Sequence, residues 1–129
     1  MMAKFARKAR HGFTLVEIMI VVLIIGILLA IAVPNFIRAR ETSRAKSCTS
    51  NLKQIDSAKE QWAMDNKIPA GSTTAPTFTD LVGATKYIKS TPSCPSNGTY
   101  TINAIGTNPV CSVGNNGTGS DASDDHVLP

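Results

Sequence analysis

The sequence predicts an α+β chain: one long N-terminal helix, half membrane segment and half amphipathic, packed against a small C-terminal antiparallel sheet. Three observations predict it. Residues Ile18 to Val33 form an unbroken apolar run, IMIVVLIIGILLAIAV. The stretch from Glu41 to Lys67 contains neither Gly nor Pro and carries apolar residues at helical spacing. Beyond Pro69, two short β-prone runs follow one another across a turn rich in Gly, Asn and Pro.

The apolar run decides the first element. Phe13 to Pro34 is 22 residues, which as a helix spans about 33 Å, the thickness of a bilayer's hydrocarbon core. Its one charge, Glu17, lies within the apolar part. An ionised carboxylate there costs on the order of 2.5 kcal/mol or more unless it is paired or reaches the headgroups. A residue held at that cost points to a function.

Gly12 followed by Phe13-Thr14-Leu15-Val16-Glu17, after a short basic leader and ahead of a continuous apolar run, resembles the class III signal of type IV pilins and type II secretion pseudopilins, and the segment from Asn51 to Trp62 resembles that of major-pseudopilin-like members. The resemblance covers roughly the first quarter of the chain. It implies a cut between Gly12 and Phe13 by a prepilin peptidase, N-methylation of Phe13, and a Glu17 that pairs with the N-terminal amine of a neighbouring subunit. It also implies the ladle fold of the family, an inner-membrane assembly platform as partner, and a homo-oligomeric helical filament, either a pilus or a secretion pseudopilus. Gly26 and Pro34 fall where many members carry a flexible glycine and a helix break. The chemistry of the segment agrees: a free amine at Phe13 needs a counter-charge in lipid as much as Glu17 does, and pairing between staggered subunits satisfies both.

Charge separates the leader from the rest. The formal charge is +4, with 13 basic and 9 acidic residues. Lys4, Arg7, Lys8 and Arg10 all lie in residues 1–12, and without them nine basic residues face nine acidic ones. The basic balance therefore belongs to the precursor, and with no basic stripe interleaved with aromatics beyond residues 38 to 46, no nucleic acid is expected. Arg38, Arg40, Arg44 and Lys46 match the leader's four basic residues, so the positive-inside rule leaves orientation open. The family resemblance places the C-terminal region outside the cytoplasm, anchored in the inner membrane by a single pass. An ordinary secretory signal cut near Ala30-Ile31-Ala32-Val33-Pro34 is the rival reading.

Four regions follow: leader 1–12, membrane or filament-core helix 13–34, amphipathic continuation 35–67, and a small globular region 68–129. In the third, Ala45, Cys48, Leu52, Ile55, Ala58 and Trp62 recur three or four apart and set one stripe, leaving Lys53, Asp56, Lys59 and Glu60 as a solvated face. Ile68-Pro69-Ala70-Gly71 ends the helix. Thr79 to Ile88 reads as a short helix with Thr79 as N-cap and Asp80 in its first turn. Thr99 to Asn103 and Val110 to Val113 read as a hairpin whose apolar face lies on the Leu52, Ile55 and Trp62 stripe, because two strands alone are barely stable in water.

Three cysteines, Cys48, Cys94 and Cys111, leave one thiol over if a disulfide forms. The resemblance implies a Cys94–Cys111 bridge closing a short loop, as in many pilins; a bridge from Cys48 to either, or three reduced buried thiols, stays open. Spacing gives no zinc signal, since there is no CxxC pair and both His11 and His126 lie far from any cysteine cluster in sequence. No cofactor is expected beyond calcium, for which Asp121, Asp124 and Asp125 in the polar tail supply hard oxygen ligands. Asn97-Gly98-Thr99 and Asn116-Gly117-Thr118 fit the glycosylation sequon. No nucleophile and base pair or phosphate loop is present, so the expected role is structural and non-enzymatic: a cleaved, methylated, polymerised subunit, with a monomeric membrane-anchored binding protein as the alternative.

Overall fold

Helix α1 runs from Leu15 to Asp65, 51 residues, in the computed structural model, which describes residues 11–114 and 126–128. It starts where Thr14 supplies a side-chain cap: the backbone N–H of Glu17 donates to Thr14 Oγ1 at 3.2 Å, satisfying one of the donors that a first turn leaves without a partner. The helix continues through Gly26 and Pro34 without interruption. Pro34 lacks an N–H, so the carbonyl four residues back, Ala30, receives no bond at that turn and the helix is weakened there rather than ended. At the far end the backbone turns out in a Schellman motif. Ile68 N–H donates to Ala63 O at 2.9 Å and Lys67 N–H to Met64 O at 3.1 Å, with Lys67 left-handed at φ 56°. The helix thus stops two residues before the expected Lys67.

The chain divides into two compact units, one up to Ile37 and one from Arg38 onward. In the first, every residue from 11 to 37 is exposed, including the whole apolar run. This part of α1 is long and apolar enough to cross a membrane.

In the second unit α1 buries Ala45, Cys48, Leu52, Ile55, Ala58, Lys59 and Ala63, and Trp62 packs half-buried beside them. Two elements lie on that face. Helix α2, Phe78–Leu81, is a single turn that places Leu81 in the core. Strands β1, Tyr100–Thr101, and β2, Val110–Cys111, pair antiparallel with Tyr100 opposite Cys111 and Thr101 opposite Val110. Ser112 N–H to Thr99 O at 2.9 Å adds one bond to the ladder. Tyr100, Ile102 and Cys111 join Cys48, Leu52, Ile55, Ala58, Leu81, Ile88 and Cys94 in one apolar cluster, so the hairpin sits on the stripe as expected.

Three local expectations are corrected. The second helix starts two residues earlier and is far shorter, because the N-cap is Thr77. Its hydroxyl and its N–H both donate to Asp80 Oδ2, at 2.6 and 2.8 Å. After Leu81 the chain bends at Gly83 and returns, Gly83 N–H bonding Ile88 O and Ile88 N–H bonding Leu81 O. Both strands are only two residues long, since Asn103, at φ 60°, takes the chain out of the extended conformation two residues after Thr101. Lys59 is fully buried, not part of a solvated face: its Nζ donates to Thr107 O and lies 3.1 Å from Asp56 Oδ1. A long aliphatic stem lets a lysine cross the apolar stripe and spend its charge on a loop carbonyl.

Two outcomes follow. Lys59→Met keeps the stem but removes the donor from Thr107 O, and should cost about 1–3 kcal/mol in denaturant titrations followed by fluorescence of Trp62, the chain's one tryptophan. The Thr77 hydroxyl, then its N–H, hold the Asp80 carboxyl below its ordinary value. A depressed carboxyl adds stability that is complete above the ordinary carboxylate range and is lost as pH falls through the lowered value. Protection of the Thr77 amide, its exchange rate compared with the intrinsic rate at each pH, should therefore fall on acidification, and Asp80→Asn should remove that dependence.

Candidate functional site

Two groups of residues are set apart by chemistry. The first is the N-terminal segment. Gly12 and Phe13 are exposed ahead of α1, and Glu17 projects from its first turn, where a carboxylate is favoured by the helix dipole. The spacing Thr14-x-x-Glu17 is that of a capping box, a signal in the sequence that the reading of Glu17 as a membrane charge passed over. Glu17 is exposed and surrounded by exposed Leu15, Val16, Ile18 and Ile20. Within one chain it is a charge in an apolar collar. Gly26 and Pro34 lie along the same exposed stretch of α1.

The second group is buried. Cys48 from α1, Cys94 from the loop before β1, Cys111 from β2 and His126 from the C-terminal segment bring four ligand atoms within 4.8 Å of one another. Cys94 Sγ lies 3.7 Å from Cys111 Sγ and 3.8 Å from His126 Nδ1. All three cysteines are free thiols, and all four residues are buried. The expected Cys94–Cys111 pair is thus adjacent, with the third thiol beside both.

Local folding explains the convergence. Cys48 is on the apolar stripe of α1, and Cys111 faces the core opposite Tyr100. Cys94-Pro95-Ser96-Asn97-Gly98 forms a tight turn in which Asn97 N–H donates to Cys94 O at 3.1 Å and Asn97 takes φ 59°. Gly98 is required by close approach: a Cβ there would lie 2.6 Å from Cys111 Sγ and 2.7 Å from Val113 Cγ2. His126 is held by its N–H to Gly114 O at 3.0 Å, and the neighbouring Leu128 packs on the core.

The environments of the thiols differ. Burial pushes the Cys48 thiol up to about 12, countered in part by the Tyr100 hydroxyl. Burial acts in the same sense on Cys94, but the backbone N–H groups of Ser96 and Gly98, with the two neighbouring thiols, outweigh it and hold Cys94 below its ordinary value. Asn51 orients the surrounding shell, its Nδ2 donating to Tyr100 OH and to Ser93 O, both at 3.0 Å. Sequence reasoning missed this gathering because its members are spread over 79 residues, Cys48 to His126, and no two are close enough to read as a ligand pair. One signal was present: His126-Val127-Leu128 ends the polar tail with apolar residues, which marks a return to the core. Asp121, Asp124 and Asp125, the candidate calcium ligands, and the Asn116 sequon lie outside the described residues.

Comparison with known proteins addresses the first group. Residues 7–33 match the model of the prokaryotic N-terminal methylation motif. The chain is 51% identical over 52 residues to the type IV major pilin protein PilA of Myxococcus xanthus, covering 40% of this chain and 24% of that protein. It is 35% identical over 60 residues to the type II secretion system core protein G of Klebsiella michiganensis, covering 46% of this chain and 42% of that one. The match to the core protein G of Dickeya chrysanthemi is 30% identical over 90 residues, 70% of this chain and 55% of the relative. The chain therefore spans between a quarter and rather more than half of the length of these relatives. No solved structure matches it. The resemblance carried by Gly12 to Glu17 is borne out, and the relatives are a pilin and secretion-system core proteins, not enzymes.

Gly98→Ala should destabilise the second unit by about 1–3 kcal/mol, the range for overpacking a filled core, because the new methyl meets the buried Cys111 thiol and the half-buried, β-branched Val113. Thermal melting by circular dichroism, with Thr99→Ala at the exposed position next to it as the control, checks this.

Proposed function

We propose that the chain is a filament subunit: cut between Gly12 and Phe13 by a prepilin peptidase, methylated at Phe13, held in the inner membrane by residues 13–34, and polymerised through that helix into a type IV pilus-like filament. The observation that carries this reading is the match of the methylation motif to residues 7–33, together with a helix whose apolar side chains are exposed from Leu15 to Val33. Such a surface needs lipid or other helices around it. Both are apolar, so exchanging one for the other is close to neutral, and close packing and polar pairs tip the balance toward association.

The polar pair is specific. Removing the leader creates an amine at Phe13, one residue ahead of the Thr14 cap. Its own Glu17 lies four residues along, and an amine at the start of a helix reaches that side chain only with difficulty. A neighbouring subunit shifted along the filament axis presents its Glu17 at the right height, and amine and carboxylate neutralise each other in an apolar bundle where either alone is costly. This pairing sets the axial stagger of successive subunits. The region from Arg38 onward then faces outward, and a cytoplasmic motor acting through an inner-membrane platform extracts subunits one at a time. The same N-terminal machinery serves a surface pilus and a periplasmic secretion pseudopilus.

Intact mass of the chain in the fraction sheared from cells tests the reading. A product twelve residues shorter and one methyl heavier is expected there for a surface pilus, or retained in the periplasm and inner membrane for a pseudopilus. Glu17→Ala should leave cleavage and membrane insertion in place and abolish filaments. A chain left uncut after Gly12 would overturn the proposal. Filaments undiminished by Glu17→Ala would overturn the pairing, and a cut but strictly monomeric chain would favour the membrane-anchored binding protein.

A further inference from the structure

We propose that Cys48, Cys94, Cys111 and His126 form a structural zinc site. Four ligand atoms of the types that zinc prefers, three thiolates and one imidazole, meet within 4.8 Å in a buried position. With Zn–S bonds of about 2.3 Å and a Zn–N bond of about 2.0 Å, tetrahedral coordination sets sulfur–sulfur edges of about 3.8 Å and sulfur–nitrogen edges of about 3.5 Å. The Cys94–Cys111 and Cys94–His126 separations of 3.7 and 3.8 Å already have that size. The set is closed: four protein ligands leave no position for water or substrate, which makes the site structural rather than catalytic.

The shell around the ligands fits a cluster that carries a net negative charge when three thiolates and one imidazole hold Zn²⁺. Backbone N–H groups of Ser96 and Gly98 face Cys94 Sγ, and the Tyr100 hydroxyl, oriented by Asn51, faces Cys48. These are the outer-shell donors that fix ligand orientation and accept charge from sulfur. Gly98 lets the backbone close over the cluster without a side chain in the way. Binding is a displacement without redox change: Zn²⁺ replaces the three thiol protons, which leave to solvent, and the neutral imidazole adds its lone pair.

The site also meets a structural need. Among the described residues beyond α1, the second unit has one helical turn and two strands of two residues. Regular backbone pairing is sparse, and small units of this kind are commonly stapled by disulfides or a metal. A disulfide would join two of these segments; a metal joins all four, tying α1, the turn before β1, β2 and the C-terminal segment at one point.

The test uses the full chain purified in detergent without chelator. One zinc per chain by elemental analysis is expected, with three cysteines alkylated once the protein is denatured and the metal removed. Cobalt(II) in place of zinc should give the sulfur-to-metal charge-transfer and intense visible bands of a tetrahedral thiolate site. His126→Ala should weaken zinc binding by at least about 100-fold, beyond the 10–100-fold typical of outer-shell changes, while His126→Cys should retain one zinc in a four-thiolate set. A freshly isolated chain that is metal-free and two hydrogens lighter, with Cys94 joined to Cys111 or Cys48 to either, would overturn the proposal. So would cobalt spectra without tetrahedral bands, or zinc binding indifferent to both Cys48→Ser and His126→Ala.

Discussion

A single helix of 51 residues has to keep its apolar side chains out of water along its whole length, and the means change at Arg38. From residue 11 to Ile37 its side chains are exposed. From Arg38 onward its apolar stripe narrows to one face and is covered by α2, the hairpin and the loops between them. The change is written in composition. The first stretch is apolar all round, the signature of a helix that expects an apolar medium on every side, and the second alternates at helical spacing, the signature of a helix with one buried face. Every other element serves the second stretch.

The fold was legible wherever one periodicity ran long enough to leave a single answer. The membrane stretch and the stripe from Ala45 to Ala58 are of this kind, and so is the antiparallel pair lying on the stripe. Short elements were legible in kind and not in extent. Thr77 and Thr79 are both good caps, and only the position of Asp80 three residues after Thr77 selects the first. The strands stop after two residues because the chain leaves the extended conformation at Asn103, a left-handed residue whose place the β-prone run does not mark. Lys59 was misplaced for a similar reason: its charge reads as solvent-facing, whereas four methylenes carry the ammonium across the apolar face to Thr107 O.

The candidate sites divide in the same way. Gly12 to Glu17 is contiguous, and its chemistry needs a fixed local order, so six residues sufficed to find it. The thiol and imidazole cluster is assembled by topology alone. Cys48 is given by helical phase, Cys94 by a turn whose Asn97 and Gly98 allow it to close, Cys111 by strand register and His126 by the return of the C-terminal segment. No one of these is informative without the fold, and with the fold all four point to the same place.

Cys48 and Lys59 also have a mechanical meaning. They lie eleven residues apart on α1, about 16 Å along its axis at the standard rise, and each meets a different part of the hairpin: Cys111 at its paired end, Thr107 near its tip. A layer fastened to a rod at one point swivels about it, but one fastened at two separated points cannot. Within the second unit the hairpin is therefore held at both places and keeps a fixed bearing on the stretch of α1 from Arg38 onward.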